Sequence, residues 1–195
     1  MQNILSYLTE KENSLVIYQK CRKDEVLFHE DDLCELIGIV VDGRIDIISY
    51  SFSGKEVLYN SLGRNEIFGN NLVFSDYPHY RGNITCKEDT LVAIIKKDSL
   101  IQILQNNQQF LLEYLKIQSN FGKSLNSKIK LLSFNNALDR FDYYLYSNGN
   151  KIHYKNVADL ARLLFMERET LSRLLSNLEK EGVIQRDKHL IVKLF

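Results

Sequence analysis

Between Arg168 and Ser176 the chain sets charged and hydroxyl side chains at spacings that could read DNA. At about 100° per residue around a helix axis, Arg168, Glu169, Ser172, Arg173 and Ser176 share one face. Leu171, Leu174, Leu175 and Leu178 share the other. An Arg can donate two hydrogen bonds to the O6 and N7 of guanine, and a Glu can accept one from the N4 of cytosine. Such residues belong near the N-terminus of the second helix of a helix-turn-helix, with the apolar side anchoring the helix from behind. An ordinary amphipathic surface helix laced with Glu and Arg has the same periodicity. Spacing alone leaves both readings open.

The elements that must position this helix run from Asn156 to Ile184, which reads as two helices with a tight break. This segment resembles the C-terminal helix-turn-helix of the bacterial Crp/Fnr family of transcription regulators. The residues that carry the resemblance are Leu160-Ala161 in the first helix and Arg168-Glu169-Thr170-Leu171-Ser172-Arg173-Leu174-Leu175 in the second, with Leu178 and Glu181-Gly182-Val183-Ile184 leading out. The likeness implies that Arg168, Glu169, Ser172 and Arg173 face bases; with Thr170 they form the expected DNA-contacting set of the helix. Two positions depart from the pattern. Phe165 stands where the family has a small turn residue, and Glu167 where it has a Ser or Thr cap, although a carboxylate still suits the positive end of a helix. After the helix, Val183–Arg186 and Leu190–Leu194 alternate as strands. The turn Asp187-Lys188-His189 would be a wing tip, with Lys188 near enough to meet a phosphate.

The 195 residues carry no net charge, with 25 basic and 25 acidic side chains. From Lys151 onward, nine Lys/Arg stand against six Asp/Glu, so that end is +3 and the rest −3. A basic end on an acidic body fits one end meeting phosphates. Cys21, Cys34 and Cys86 are odd in number and widely spaced, which reads as free thiols in a reducing compartment. Fnr-type oxygen sensors group cysteines around an iron–sulfur cluster; no such group is present, so no cofactor is expected. The first residues lack a basic start followed by a long apolar run, and no apolar run approaches the ~20 residues of a membrane span. The expectation is a soluble, cytoplasmic protein with no membrane contact.

From Val16 to about Lys96, short β-rich runs (Glu25–His29, Leu36–Val41, Arg44–Ser49, Lys55–Tyr59 and Leu91–Lys96 among them) alternate with turn signals. Asp42-Gly43 and Ser53-Gly54 read as hairpin turns. This spacing predicts an antiparallel jelly roll. It also resembles the family's effector domain, a double-stranded β-helix with a cyclic-nucleotide-binding fold, through Gly43, Gly54 and Ile67-Phe68-Gly69. Family glycines are missing near Asp24, Asp31 and Asn65. In cyclic-nucleotide binders the segment after Phe-Gly carries a Glu for the ribose, then an Arg and a Ser or Thr for the phosphate. Here Gly69 is followed by Asn70 at the Glu position, Arg81 after a one-residue shift, and Gly82 in place of the hydroxyl. Gly69, Asn70, Arg81 and Gly82 are the candidate effector residues, and the effector is expected to be a small molecule other than cyclic AMP, or none. Arg81 has a plainer reading, an ion pair with Asp76. Phe68, Phe74, Tyr77 and Tyr80 could line an altered pocket or simply be core.

Residues 1–15 read as a short helix. Asp98 is an expected cap for a helix beginning at Ser99, and a long helix follows from Gln108 to about Ser133. Along it, Leu111, Leu115, Gln118, Gly122, Leu125, Ile129 and Leu132 recur at spacings of four and three, the seam a two-stranded coiled coil requires. Part of that seam must instead pack on its own β-domain. The family resemblance implies a homodimer through this helix. Phe134-Asn135-Asn136 is a plausible hinge, then a helix from Ala137 to Tyr146, the loop Ser147–Asn150 and a strand from Ile152 to Tyr154.

The expected class is therefore α+β: an effector domain over 1–106, a dimerisation helix over 107–134 and a winged helix-turn-helix over 135–195. The expected partners are double-stranded DNA, a second copy of the chain, a small effector of unknown identity and RNA polymerase. Two other readings compete. A jelly roll could be a cupin-like metal enzyme, but His29, His79, His153 and His189 are isolated, with no HxH or HxxxH pair, and no phosphate-cradling loop or nucleophile elbow occurs. A sensor that has lost DNA binding and acts through a protein partner is favoured only by Phe165.

Overall fold

Alternating and continuous apolar runs between Ile17 and Lys96 form eight antiparallel strands. They are β1 (Ile17–Cys21), β2 (Val26–Phe28), β3 (Leu36–Asp42), β4 (Ile45–Tyr50), β5 (Glu56–Leu62), β6 (Ile67–Phe68), β7 (Asn83–Cys86) and β8 (Thr90–Lys96). They make two four-stranded sheets, ordered β1-β8-β3-β6 and β2-β7-β4-β5. The computed structural model describes residues 3–194. Central strand β3 buries four consecutive residues, which requires cover on both faces. Helix α2 (Lys97–Asn106), which contacts β3 and β8 and buries Leu100 and Ile103, supplies part of it.

Asp42-Gly43 is not a hairpin turn. The strands either side of it lie in different sheets, β3 pairing with β6 and β8 while β4 pairs with β5 and β7. The turn therefore carries the chain from one layer of the sandwich to the other. Ser53-Gly54 does close a hairpin, between β4 and β5.

The missing glycines leave their mark on the backbone. Asp24, Asp31 and Asn65 all adopt left-handed conformations, with φ of 65°, 68° and 67°. Asp and Asn are the non-glycine residues that enter this region most readily, so the turns keep the shape that glycine would give them.

The expected N-terminal helix is two shorter pieces. A 3-10 turn at Ile4–Tyr7 is capped by Asn3, and α1 (Glu10–Asn13) is closed by a capping box between Thr9 and Glu12; Met1 and Gln2 lie outside the described residues. Helix α2 begins one residue before Asp98. Asp98 sits in its first turn, while Lys96 at the cap offers no side-chain acceptor.

The chain then divides into two compact units, up to Ser119 and from Asn120 onward, the division falling inside α3 (Gln108–Ser133). In the first unit, Phe110 and Tyr114 of α3 are buried in the β-sandwich core, with Ile117 packed against it. In the second, α4 (Ala137–Ser147), β9 (Lys151–His153), α5 (Val157–Leu163), α6 (Arg168–Lys180), β10 (Ile184–Asp187) and β11 (Leu190–Lys193) follow. The three strands form one antiparallel sheet, ordered β10-β11-β9. Phe141, Leu145, Ile152, Leu160, Leu171, Leu175, Ile184 and Ile191 make its core.

Candidate nucleic-acid interface

Helix α5 starts at Asn156, whose side-chain oxygen accepts the Asp159 N–H at 2.8 Å. It ends in a Schellman turn. Phe165 N–H donates to Arg162 O (3.1 Å) and Met166 N–H to Ala161 O (3.0 Å), so the last carbonyls of the helix are satisfied by the two residues that leave it. Phe165 takes the left-handed position of this turn, with φ 52°. A β-carbon there costs about 1–2 kcal/mol, which is why glycine is the usual occupant. Helix α6 ends in the same motif, with Gly182 at φ 70°, Gly182 N–H to Glu179 O and Val183 N–H to Leu178 O. Helix α6 is thus bracketed by two like turns, one built with glycine and one with phenylalanine.

Along α6, Leu171, Leu175 and Leu178 are buried while Arg168, Glu169, Ser172 and Arg173 are exposed and line one open concavity. Leu174 and Thr170 are half-buried, so Thr170 lies at the edge of the exposed face. Among the described residues the side chains of Arg168, Glu169 and Arg173 make no ion pair. Among the described residues of the second unit, the basic residues that do are Arg162, paired with Asp159, and Arg186, paired with Glu179. The Arg186 guanidinium holds the Glu179 carboxyl below its ordinary value, with Nε donating at 2.8 Å. This pair ties the end of α6 to β10. Lys188 is exposed in the two-residue turn between β10 and β11.

The candidate effector residues have a different character. Gly69 follows β6 with φ 75°, where an added β-carbon would lie 2.5 Å from Leu36 O. Asn70 is buried. Its Nδ2 donates to Gln118 Oε1 at 2.9 Å, and its carbonyl accepts from Gln118 Nε2 at 2.5 Å and from the Tyr114 hydroxyl at 3.2 Å. Gln118 Nε2 also donates to the Tyr114 hydroxyl oxygen at 2.9 Å. Gly82 is pressed against β4, and a β-carbon there would meet Ile48 O at 2.9 Å. A Ser or Thr would not fit without displacing that strand. Arg81 is exposed, 5.4 Å from the centre of the Tyr77 ring, and makes no ion pair with Asp76. The four aromatic residues are split: Phe68 and Tyr80 are core, while Phe74 and Tyr77 are exposed. These residues depart from the set that the family resemblance implies for a cyclic nucleotide. The group at the ribose position is engaged internally, and the phosphate position has no hydroxyl and no room for one.

Residues 18–107 match the cyclic nucleotide-binding domain family and residues 146–194 the Crp-like helix-turn-helix domain family. The two domains stand in one chain, in that order. The chain belongs to the Crp/Fnr family. Over 196 aligned residues it is 26% identical to the anaerobic regulatory protein of Bacillus subtilis, covering 95% of this chain and 82% of that one. It is 24% identical over 168 residues to the cyclic AMP receptor protein of Thermus thermophilus, covering 82% of this chain and 75% of that one. Among solved structures, a CooA mutant from Carboxydothermus hydrogenoformans shares the fold with a TM-score of 0.71 at 21% identity, covering 98% of this chain and 90% of that one. The catabolite activator protein of Thermus thermophilus shares it with a TM-score of 0.58 at 21% identity, covering 98% and 93%.

As a Crp/Fnr protein the chain is a DNA-binding transcription regulator, and the family is one of regulators rather than enzymes. Among the described residues no helix is long and apolar enough to cross a membrane, and no group of three or more His, Cys, Asp or Glu is placed to hold a metal ion. All three cysteines are buried. Burial pushes the Cys21 thiol up to about 12, helped by the neighbouring Cys86, and also raises Cys34 and Cys86.

In the first unit, Gln118 of the seam faces Asn70 of the same chain. The pattern had placed it only among seam residues; its partner in the fold is 48 residues away. Leu111 is half-buried, while Leu115, Leu125, Ile129 and Leu132 are exposed. Nothing lies within 4 Å of a β-carbon built on Gly122. Arg140, in the second unit, was not singled out by the sequence; its only local signal is a cation seven residues after the end of α3, and one of its two partners lies 25 residues away.

Proposed function

We propose that this regulator binds a two-fold-related operator as a homodimer and reads each half-site with Arg168, Glu169, Ser172 and Arg173. Thr170 and Lys188 contact the phosphate backbone. The observation that carries this reading is the outward face of α6: four polar side chains exposed in one concavity, two of them guanidiniums without a carboxylate partner among the described residues. Their hydrogen-bonding capacity is free for base edges. Two Arg and one Glu favour half-sites containing G·C pairs. Two such helices related by two-fold symmetry reach successive major grooves about 34–36 Å apart.

The homodimer reading is supported by α3, where Leu115, Leu125, Ile129 and Leu132 leave a seam of exposed apolar side chains. A second copy of the helix would bury that seam by knobs-into-holes packing, with the notch at Gly122 allowing close approach. On this reading 1–106 is the effector domain, 107–134 the dimerisation helix and 135–195 the DNA-binding domain. RNA polymerase would be the further partner. The relative from Thermus thermophilus is named for cyclic AMP; the engaged Asn70 and the closed Gly82 support a different effector, or none, for this chain.

Phe165, the feature that favoured a sensor without DNA binding, is accommodated in a complete Schellman turn. The test is selection of duplexes from a randomised library by the purified chain at two salt concentrations, with sedimentation at micromolar protein. A palindromic motif with G·C-containing half-sites and a two-chain species is expected. A motif without two-fold symmetry, or sedimentation of single chains only, would overturn the dimeric reading.

A further inference from the structure

Arg140 lies on the first turn of α4, and its guanidinium bridges two main-chain carbonyls. Nε donates to Phe134 O at 3.0 Å and Nη1 to Phe165 O at 2.5 Å. Phe134 is the residue directly after α3, and Phe165 is the left-handed turn residue after α5. Both carbonyls therefore sit at helix C-termini, the negative ends of the helix dipoles, where a cation is favoured. One guanidinium serves both ends, and it makes no ion pair with any carboxylate among the described residues. The planar fork of Arg can reach two acceptors at fixed angles; a Lys ammonium is a point charge and cannot match that geometry.

The contact falls where the turn is weakest. Phe165 holds a conformation that a β-branched or aromatic residue disfavours, and its side chain is 40% exposed, so core packing does little to enforce it. Its carbonyl lies three residues before α6 begins. The corresponding turn after α6 has Gly182, and among the described residues no arginine bridges its carbonyl to another helix end.

We propose that Arg140 is a positioning residue for the DNA-reading helix, holding the Phe165 turn in its left-handed conformation and tying that turn to the end of α3. Arg140 touches no base. It acts by setting the angle at which Arg168, Glu169 and Arg173 are presented, and the inference rests on the reading of α6 as the DNA reader.

The test uses the full chain and a duplex selected by the wild type from a random library, against a scrambled duplex of the same length. Arg140→Gln is expected to lower affinity for the selected duplex by about tenfold or more, since hydrogen bonds from a charged donor are lost, and to leave scrambled-duplex binding within about twofold, because phosphate attraction is unchanged. Arg140→Lys should recover only part of the loss. Phe165→Gly removes the need for the clamp, so Arg140→Gln combined with Phe165→Gly should return to within about threefold of Phe165→Gly alone, a coupling that a general loss of stability would not produce. The inference is overturned if Arg140→Gln discriminates like wild type, or if the double variant stays as weak as Arg140→Gln. Arg173→Ala in the same titration separates the two ideas. If Arg173→Ala keeps discrimination, the reader assignment fails; if it loses discrimination while Arg140→Gln does not, only the clamp fails.

Discussion

The exposed face of α6 and the segment from Gly69 to Gly82 both carry polar residues at positions where the family resemblance implies a ligand contact, yet their polar groups are spent differently. On α6 the guanidiniums and carboxylate are exposed and make no ion pair among the described residues. Around Asn70, the amide, the carbonyl and the Tyr114 hydroxyl satisfy one another through Gln118. A polar group already hydrogen-bonded inside the protein must break those bonds to receive a ligand, whereas an exposed one exchanges only water. The polar groups of the first region are open to solvent; those around Asn70 are paired with one another. Residue identity alone, an Asn for a Glu, shows only that a charge is gone. The Gln118 bonds show that its replacement has a structural occupation.

The comparison can be broken at either end. The largest effect is expected for Arg173→Ala, which should cost on the order of 1–3 kcal/mol per half-site and relax specificity there, measured by titration against selected and scrambled duplexes; a variant that binds each duplex as wild type does would remove Arg173 from the reader. Next comes Gly82→Ser, which restores the family's hydroxyl but drives a β-carbon to 2.9 Å from Ile48 O. It should lower stability by about 1–3 kcal/mol without creating cyclic AMP affinity, read as a drop in melting temperature with or without the nucleotide.

Gln118→Ala leaves Asn70 Nδ2 without its partner while the Tyr114 bond to the Asn70 carbonyl remains, so a loss of about 1–2 kcal/mol is expected. An unchanged unfolding midpoint would show that the Asn70 network contributes nothing. For wild type, cyclic AMP at about 100 µM, roughly ten times a micromolar-range Kd, should leave the melting temperature unchanged; an upward shift would reopen the site. The smallest effect concerns the cysteines. A group whose pKa is raised stays protonated below it, so with Cys21 at about 12 and all three thiols buried, iodoacetamide at neutral pH should label the native chain negligibly and the unfolded chain at all three positions.

Much of the architecture is legible in local patterns. The exposed polar face of α6, the extent of α3 and the strands Leu36–Asp42 and Thr90–Lys96 follow from the 3.6-residue and two-residue periods of apolar side chains, which depend only on neighbours along the chain. The wing is legible for the same reason. Short strands such as β6 are not, because two residues carry no period. The Asp42-Gly43 turn misleads because a turn signal says that the chain reverses, not which sheet it enters.

The sequence by itself determined the presence of a helix with a leucine back and an Arg-Glu-Ser-Arg face, a jelly-roll pattern ahead of it and a long seam between. These are properties of residue type and spacing within a few turns or strands. Only the tertiary structure decided that Gly82 is a glycine because Ile48 O lies against it, and that Asn70 is bonded to a residue 48 positions away. Only the tertiary structure decided, too, that Arg140 holds the carbonyl of a turn residue 25 positions away. Each of these depends on close packing between segments distant in sequence, where tenths of an ångström separate contact from clash, and no period along the chain records that distance.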